Sequence, residues 1–550
     1  MAGNEKVDVL IIGSGASGAA VAWSLADTRM RILCLEQGDW LKSTDFPSNG
    51  RDWEARRYTD FDISPNRRGR DTDYPVNDDS SPMKIANFNG VGGGTLIYTA
   101  HWPRMHPSDF KVKSLDGVAD DWPVDYWALE RFYDENDRMM GVSGLAGDPG
   151  VPPRNPPMPP IPLGRTGTHY ARAMNRLGWH WWPSDTTIAT TAYDGRAACI
   201  NLGHCTPGCA QGAKASTDIT YWPLAIRAGV ELRTRCRVRE ITTNEHGMAA
   251  GAVYYDAEGR EHFQPAEVVI VACNGVGTPR LLLNSASARF PKGLANSSGL
   301  VGKYIMDTVG ARLYGHIPAL ENCPPHNEDG AGGGHFYAPW WLYKEQHAGK
   351  LDFARGYHIE TGGTRDMPGG DNPVPEDLSR GSYGTKFKED ARRYYGSFVY
   401  FAARGEMIPN EHCYMDLDPK VKDKWGIPVA RFHWKWSEHE LNQAVHAKKT
   451  FKALIEAMGG TVRDSTDFRP EKSIQNPGYI IHEVGGAIIG DDPAKSVCNQ
   501  WNQAWDVKNL FLCDGAPFAS NADKNPTLTI MALAWRACDY LIDQAKKGNL

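Results

Sequence analysis

The 550-residue sequence predicts an α/β plus α+β fold in two lobes. Three observations carry that expectation. The first forty residues read as strand, tight glycine turn, helix and second strand. The same buried-strand texture returns near residues 270 and 510, far along the chain. Between about 300 and 480 it gives way to aromatic-alternating strands followed by one long helix.

Val7-Asp8-Val9-Leu10-Ile11-Ile12 is apolar and β-branched, as a parallel strand covered on both faces should be. Gly13-Ser14-Gly15-Ala16-Ser17-Gly18 follows, then a helix over 19–26 and a strand over 31–35 that ends in Glu36. The turn is G-x-G-x-x-G, with an acid 18 residues after its last glycine. In such a unit the first two glycines allow a sharp turn and close approach to a pyrophosphate. The third lets helix and strand pack, the helix N-terminus supplies N–H donors, and the acid accepts from a ribose. These residues therefore predict a Rossmann-like dinucleotide site on Gly13, Gly15, Ala16, Ser17, Gly18 and Glu36.

After Glu36 the chain is polar and loop-like to Asn87. Asn89-Gly90-Val91-Gly92-Gly93-Gly94-Thr95 is too rich in glycine for a helix or strand interior. It is either a flexible surface loop or backbone passing close to a flat ligand. Residues 150–162 hold seven prolines and read as a stiff, extended crossing between lobes.

A helix is expected over 213–228 and strands over 230–243 and 249–255. A buried strand over 268–273 runs into Asn274–Arg280 and a helix that starts at Leu281. Because it lies about 260 residues beyond the first strand, the dinucleotide lobe must be discontinuous. Further strands are expected over 396–403 and 429–436. The capping box Ser437-Glu438-His439-Glu440 and the stop Gly459-Gly460 frame the long helix. A last strand over 509–512 closes on Asp514-Gly515. Asn525-Pro526-Thr527-Leu528-Thr529 then opens a helix from Ile530 to about Lys546, with proline at an early helical position. The expected division is 1–145, 196–300 and 481–550 for the dinucleotide lobe, with 146–195 and 301–480 for a sheet-and-helix substrate lobe.

Composition narrows the function. Sixty basic against 66 acidic residues give a net charge of −6, without the basic excess of a nucleic-acid binder. A chain 41% hydrophobic and 23% charged is globular rather than disordered. No apolar run approaches the ~18 residues of a membrane helix. The short polar N-terminus lacks an export signal, so a cytoplasmic protein is expected. Eleven scattered cysteines suit reduced thiols rather than a disulfide framework. The oligomeric state is left open, a homo-oligomer included.

Two constellations point toward metals and fail. Cys199-x5-Cys205-x3-Cys209 matches neither a standard four-cysteine iron–sulfur run nor a zinc knuckle, so packed thiols or a local disulfide are expected ahead of an iron–sulfur cluster, and no metal ligand is assigned. His482-Glu483 begins like H-E-x-x-H, but the fifth position is Gly486. A second nucleotide fingerprint, as a pyridine-nucleotide reductase would carry, is absent.

These blocks, in this order, resemble the glucose-methanol-choline (GMC) family of flavin oxidoreductases over nearly the whole chain. The resemblance rests on Gly13/Gly15/Gly18 with Glu36, on Asn89–Gly94 leading to Pro103-Arg104, and on Gly275-Val276-Gly277-Thr278-Pro279-Arg280-Leu281-Leu282. It is completed by His482-Glu483-Val484-Gly485-Gly486 ahead of Asp514-Gly515 and Asn525-Pro526-Thr527. Within the family the tail is most similar to the pyranose-oxidase and glycoside 3-oxidase branch, with 43 residues from His482 to Asn525.

The resemblance implies FAD. The ribose would lie on Glu36, the pyrophosphate on Gly13–Gly18, and the ring system against Gly92, Gly93, Gly94, Thr95, Asp514, Asn525, Pro526 and Thr527. Val238 completes the implied cofactor set. The implied reaction moves a hydride from a carbinol carbon to flavin N5. His482 takes the hydroxyl proton, a role suited to an imidazole of pKa ~6.5, and Asn525 donates to the substrate oxygen. Where some pyranose oxidases attach FAD through a histidine, this chain has Ile97, and His101 lies four residues later; non-covalent FAD is expected.

The implied substrate is a secondary hydroxyl of a sugar or glycoside, C3 of a C- or O-glycoside included, oxidised to a ketone with oxygen or an artificial acceptor. Two alternatives stand beside it: a sugar or polyol dehydrogenase serving a quinone or a haem/iron–sulfur partner, and a non-catalytic flavin-binding scaffold. The aromatic set His335, Phe336, Tyr337, Trp340, Trp341 and Trp434 either lines the substrate channel or belongs to the core.

Overall fold

The computed structural model describes residues 5–47, 50, 56, 59–70, 72, 73, 75–77, 79, 81–202, 205–324, 336–338, 342–361, 383–463 and 465–549. Strands are numbered along the chain. The main sheet contains β1 (Val7–Ile12), β2 (Ile32–Leu35), β4 (Glu231–Arg233), β5 (Arg237–Thr243), β6 (Ala249–Tyr255), β7 (Glu261–Val271) and β15 (Leu510–Leu512). Their order is β4-β2-β1-β7-β6-β5, with β15 also on β7. β1 runs parallel to β2 and β7, and β15 parallel to β7, whereas β6 is antiparallel to both of its neighbours. The continuous apolar runs explain the parallel half: Val9 to Ile12 and Ile32 to Leu35 are all buried. The helix Ala16–Leu25 buries Ala19, Ala20, Val21, Ala22 and Leu25, side chains mostly small enough to let it lie close against the helix Thr527–Lys546.

The second sheet has the order β14-β8-β11-β10-β9-β3. Its strands are β3 (Trp182–Pro183), β8 (Val309–His316), β9 (Phe336–Ala338), β10 (Tyr357–Thr361), β11 (Phe398–Gly405) and β14 (Thr461–Val462), all paired antiparallel. β12 (Tyr414–Lys422) and β13 (Pro428–His433) form a separate ribbon.

The helix Glu438–Ala457 starts on the expected capping box, with the Ser437 N–H donating to Glu440 Oε2 at 2.7 Å. It covers one face of the second sheet, where Phe451 lies 5.9 Å from Phe401 between ring centroids. Side chains alternate across a strand, so the opposite face carries Tyr337, His358, Glu360 and Arg404. The register sets Glu360 opposite Tyr337 and His358 opposite Arg404. That polar face positions the site.

Several local expectations change. The helix expected over 213–228 is two short pieces, Thr217–Thr220 and Trp222–Arg227, because Pro223 has no N–H to continue the ladder. Lys214 and Ala215 are instead extended beside Thr187 and Ile188. The strand expected over 230–243 breaks at 234–236, where Arg235 has φ +54°, and the chain passes from the parallel edge into the antiparallel half. The third helix start moves back from Leu281 to Asn274, whose side chain caps the N–H groups of Val276 and Gly277, both at 2.9 Å. Pro526 precedes the last helix rather than opening it. Among the described residues no helix is long and apolar enough to cross a membrane.

Candidate active site

The turn Gly13–Gly18 folds where β1 meets the helix Ala16–Leu25. Gly13 has φ +101°, and a Cβ there would stand 2.4 Å from the Ala272 carbonyl oxygen; one on Gly18 would stand 2.0 Å from that of Gly13. Backbone fills both positions, so only glycine fits. Ser14 was not among the expected residues, yet it fixes the acid: its N–H and hydroxyl donate to Glu36 Oε2 at 2.9 and 2.7 Å. The Gly38 N–H donates to Oε1 at 2.7 Å. Burial raises the pKa of Glu36 against these donors.

The second glycine cluster docks on the first. The Gly92 N–H donates to the Ser14 carbonyl at 3.1 Å, and a Cβ on Gly93 would lie 2.9 Å from Gly15 Cα. It is therefore close-passing backbone, not a free surface loop. Lys214 anchors it from behind, its buried ammonium donating to the carbonyls of Leu96, Tyr98 and Cys205 at 2.8–3.0 Å. Thr95 caps the turn by donating to the Gly92 carbonyl at 2.6 Å.

Between these loops runs a cleft with about 1500 Å³ of empty space, its mouth included. Gly13, Gly15, Ala16, Ser17, Glu36, Gly93, Gly94, Thr95, Val238, Asp514, Pro526 and Thr527 line it, while Gly18 and Gly92 support it from behind. A glycine floor, two helix N-termini and an acid at one end fit an extended dinucleotide. At the other end Asp514 accepts from the Thr278 hydroxyl and from the Ala516 N–H at 2.8 Å, and burial pushes its pKa up to about 7. Neither Ile97, which is buried, nor His101 lines the cleft.

His482 and Asn525 sit at the inner end. The residues flanking them, Ile481 and Glu483 on one side and Pro526 and Thr527 on the other, line the cleft. The pair is brought together by backbone ties: Val484 and Met306 exchange N–H···O bonds at 2.8 and 3.0 Å, and the Gly485 N–H donates to the Gly515 carbonyl at 2.9 Å. The first tie sets Asp307 and Thr308 beside the histidine. Asp307 Oδ1 accepts from the His482 N–H at 3.2 Å, and Thr308 Oγ1 lies 2.9 Å from Nδ1. Asn525 Nδ2 lies 3.2 Å from His482 Nε2 and 3.2 Å from Glu360 Oε1.

The chemistry of these partners fixes the protons. A carboxylate only accepts, so one Nδ2 hydrogen of Asn525 points at Glu360 and the other at His482 Nε2, which must then be the unprotonated nitrogen. Nδ1 carries the hydrogen and donates to Thr308. Burial, with the Arg404 guanidinium behind it, pushes the imidazole down to about 3. The buried Oδ1 of Asn525 is left without a hydrogen-bond partner among the described residues.

Glu360 is the hub that sequence reasoning missed. Its Oε2 meets Arg404 at 3.1 Å, and its Oε1 meets His358 Nε2 at 3.1 Å and His101 at 3.8 Å. Burial opposes its charge, yet Arg404, His101 and His358 together hold the carboxyl well below its ordinary range. The one signal available was His358-Ile359-Glu360, whose spacing puts both polar residues on one face of a strand.

Of the aromatic candidates, Tyr337 stands beside this hub, its ring 4.8 Å from His358 and 5.6 Å from His101. Trp434 packs against the cores. His335, Trp340 and Trp341 lie outside the described residues, as does the Phe336 side chain. Cys199, Cys205 and Cys209 are not joined in a disulfide, so the local disulfide considered for them does not form.

Comparison with known proteins places these pieces. Residues 171–317 and 409–534 match family models described as GMC oxidoreductase, and residues 11–68 match an NAD(P)-binding Rossmann-like domain. The chain is 36% identical to a 2-methyl-1,2-propanediol dehydrogenase of Mycolicibacterium austroafricanum, over 98% of this chain and 95% of that protein. It is 29% identical to a fructose dehydrogenase large subunit of Gluconobacter japonicus, over 99% of each. The crystal structure of pyridoxine 4-oxidase from Mesorbium loti shares the fold, with a TM-score of 0.66 at 14% identity over 98% of this chain and 99% of that one.

Proposed function

The chain belongs to the GMC oxidoreductases, FAD-dependent enzymes acting on CH–OH groups, and from that premise we propose that it oxidises a secondary hydroxyl of a sugar or glycoside to a ketone. The observation that carries this reading is the 3.2 Å approach of Asn525 Nδ2 to an unprotonated His482 Nε2 at the inner end of the cleft. FAD would be held with its pyrophosphate on Gly13, Gly15, Ala16 and Ser17, its ribose at Glu36, its adenine end near Val238, and its ring system between Gly93–Thr95 and Asp514, Pro526 and Thr527. Bound there, it supplies an acceptor for the hydride. Non-covalent attachment is supported by the placement of His101, which contacts Ser184 and Glu360 and does not line the cleft.

The chain's own residues handle the proton. A substrate hydroxyl entering between His482 and Asn525 gives its proton to Nε2, while the amide N–H turns from the imidazole to the substrate oxygen. Thr308 and Asp307 hold the ring in place, and Glu360 keeps the amide from flipping. We further propose that the two sheets mark two domains with the boundaries given above. A second reading changes only the acceptor: both relatives named above are dehydrogenases, which favours an acceptor other than oxygen. Peroxide formation under air with a sugar or glycoside distinguishes the two. Anaerobic bleaching of the yellow holoenzyme by such substrates tests the reading itself, and absence of bleaching across a sugar and glycoside panel would sink it.

Two further results are expected. Because the folded imidazole is depressed to about 3, the base-competent form is present above that value and is lost only as pH falls through it. The kcat/KM for anaerobic flavin reduction should therefore show no His482 limb near the ordinary ~6.5. The unfolded chain takes up the proton that the folded site refuses, so His482 also costs stability as pH drops below ~6.5. Glu360→Gln removes the charge and leaves a single acceptor oxygen for Arg404 and Asn525 to share, loosening the hold on the Asn525 amide. Flavin reduction should slow by about 10²-fold with FAD content unchanged, as stopped-flow absorbance on the holoenzyme would show.

A further inference from the structure

Tyr337 has a second side. It helps close a separate, small pocket with about 620 Å³ of empty space, its open mouth included. Its hydroxyl is buried in a residue only 8% exposed, and it has no hydrogen-bond partner among the described residues. Lys524, the residue before Asn525, lines the same pocket. The pocket thus shares Tyr337, which stands beside His358 and His101, and the chain neighbour of Asn525 with the polar face that positions the pair.

The opposite wall explains the proline-rich crossing. Pro152 and Pro153 face Trp182 and Pro183 across the pocket, a rigid, apolar and aromatic surface of the kind on which the C–H faces of a ring rest. The charged groups around it are paired, and among them only Arg104 Nε has no hydrogen-bond partner among the described residues. Arg154 pairs with Asp137 at 2.7 Å and Asp185 at 2.6 Å, and Arg104 with Asp137 at 2.5 Å and Asp134 at 2.6 Å. Lys524 pairs with Asp523, and Asp148 accepts from the Gly150 N–H at 2.8 Å and faces His180 at 2.9 Å. A charged ligand would have to compete with these bonds after losing its own hydration, whereas a neutral hydroxyl needs only the waiting Tyr337 oxygen.

Resting on the reading of His482 and Asn525 given above, we infer that this pocket holds the part of the substrate remote from the reacting carbon, and that it selects a neutral polyhydroxylated ring over acidic sugars, amino sugars and short diols. The test uses the FAD-loaded enzyme and anaerobic flavin bleaching by glucose and a neutral glucoside, gluconate, glucosamine and 1,2-propanediol. Tyr337→Phe should raise KM for the neutral sugars by about tenfold, the factor of one hydrogen bond, with a smaller change in the limiting rate. The short diol, which cannot span to the hydroxyl, should lose less. Val151→Trp, which fills the pocket from the crossing, should reproduce the KM effect if Tyr337→Phe fails to fold. Unchanged KM for neutral sugars in both variants, or faster bleaching by gluconate or glucosamine than by the neutral sugars, overturns the inference. Bleaching that survives His482→Ala overturns the underlying reading instead.

Discussion

His482→Ala should slow flavin reduction by about 10²–10⁴-fold while the purified protein stays yellow, because on the proposed mechanism the imidazole takes the substrate proton, and it does not line the cleft. The expected size follows from the geometry. Nε2 faces an amide hydrogen of Asn525 and Nδ1 is tied to Thr308 at 2.9 Å, so the wild-type ring is held in the tautomer that accepts at Nε2. Anaerobic stopped-flow measurement of flavin bleaching, with FAD content determined on the same sample, separates loss of chemistry from loss of cofactor. Wild-type bleaching rates in the alanine variant would remove His482 from the mechanism and favour a flavin-binding scaffold.

Gly18→Ala should yield protein without FAD. The added methyl would meet the Gly13 carbonyl oxygen at 2.0 Å, and Gly13 has no room to yield because its own Cβ position is filled by the Ala272 carbonyl at 2.4 Å. The helix Ala16–Leu25 must therefore shift away from the turn, and its N-terminal N–H groups move off the pyrophosphate. Forced overpacking of this kind costs about 1–3 kcal/mol of stability. Thermal melting with and without added FAD checks both effects. A variant that melts like wild type and binds FAD stoichiometrically would show that the turn is not the cofactor's anchor.

The same turn shows how much was legible in one dimension. Gly13, Gly15, Gly18 and Glu36 announce themselves because a turn pinned between a strand and a helix is local, and every constraint on it lies within about thirty residues. The long helix behind Ser437 is legible for the same reason: its cap and stop are written in adjacent residues. Errors came where a local reading met a non-local partner. The helix expected over 213–228 lost its first residues because Lys214 is drawn to carbonyls at Leu96 and Tyr98, more than a hundred positions away. Hydrophobic pattern holds no record of such a pull.

The sequence alone determined the cofactor turn, the family blocks and the pairing of His482 with Asn525 as candidates, all carried by motif and order. Tertiary structure alone decided that Glu360, His358 and Arg404 share one sheet face and that Thr308 reaches His482. It also decided that Tyr337, whose buried hydroxyl has no partner among the described residues, lines a second pocket. The physical reason is that strand residues gain their roles from register. Glu360 faces Tyr337 and Ala402 across hydrogen-bonded neighbours drawn from distant chain. A slip of one position would send its carboxylate into the apolar face under the long helix, and nothing in the residues next to it specifies which face it takes.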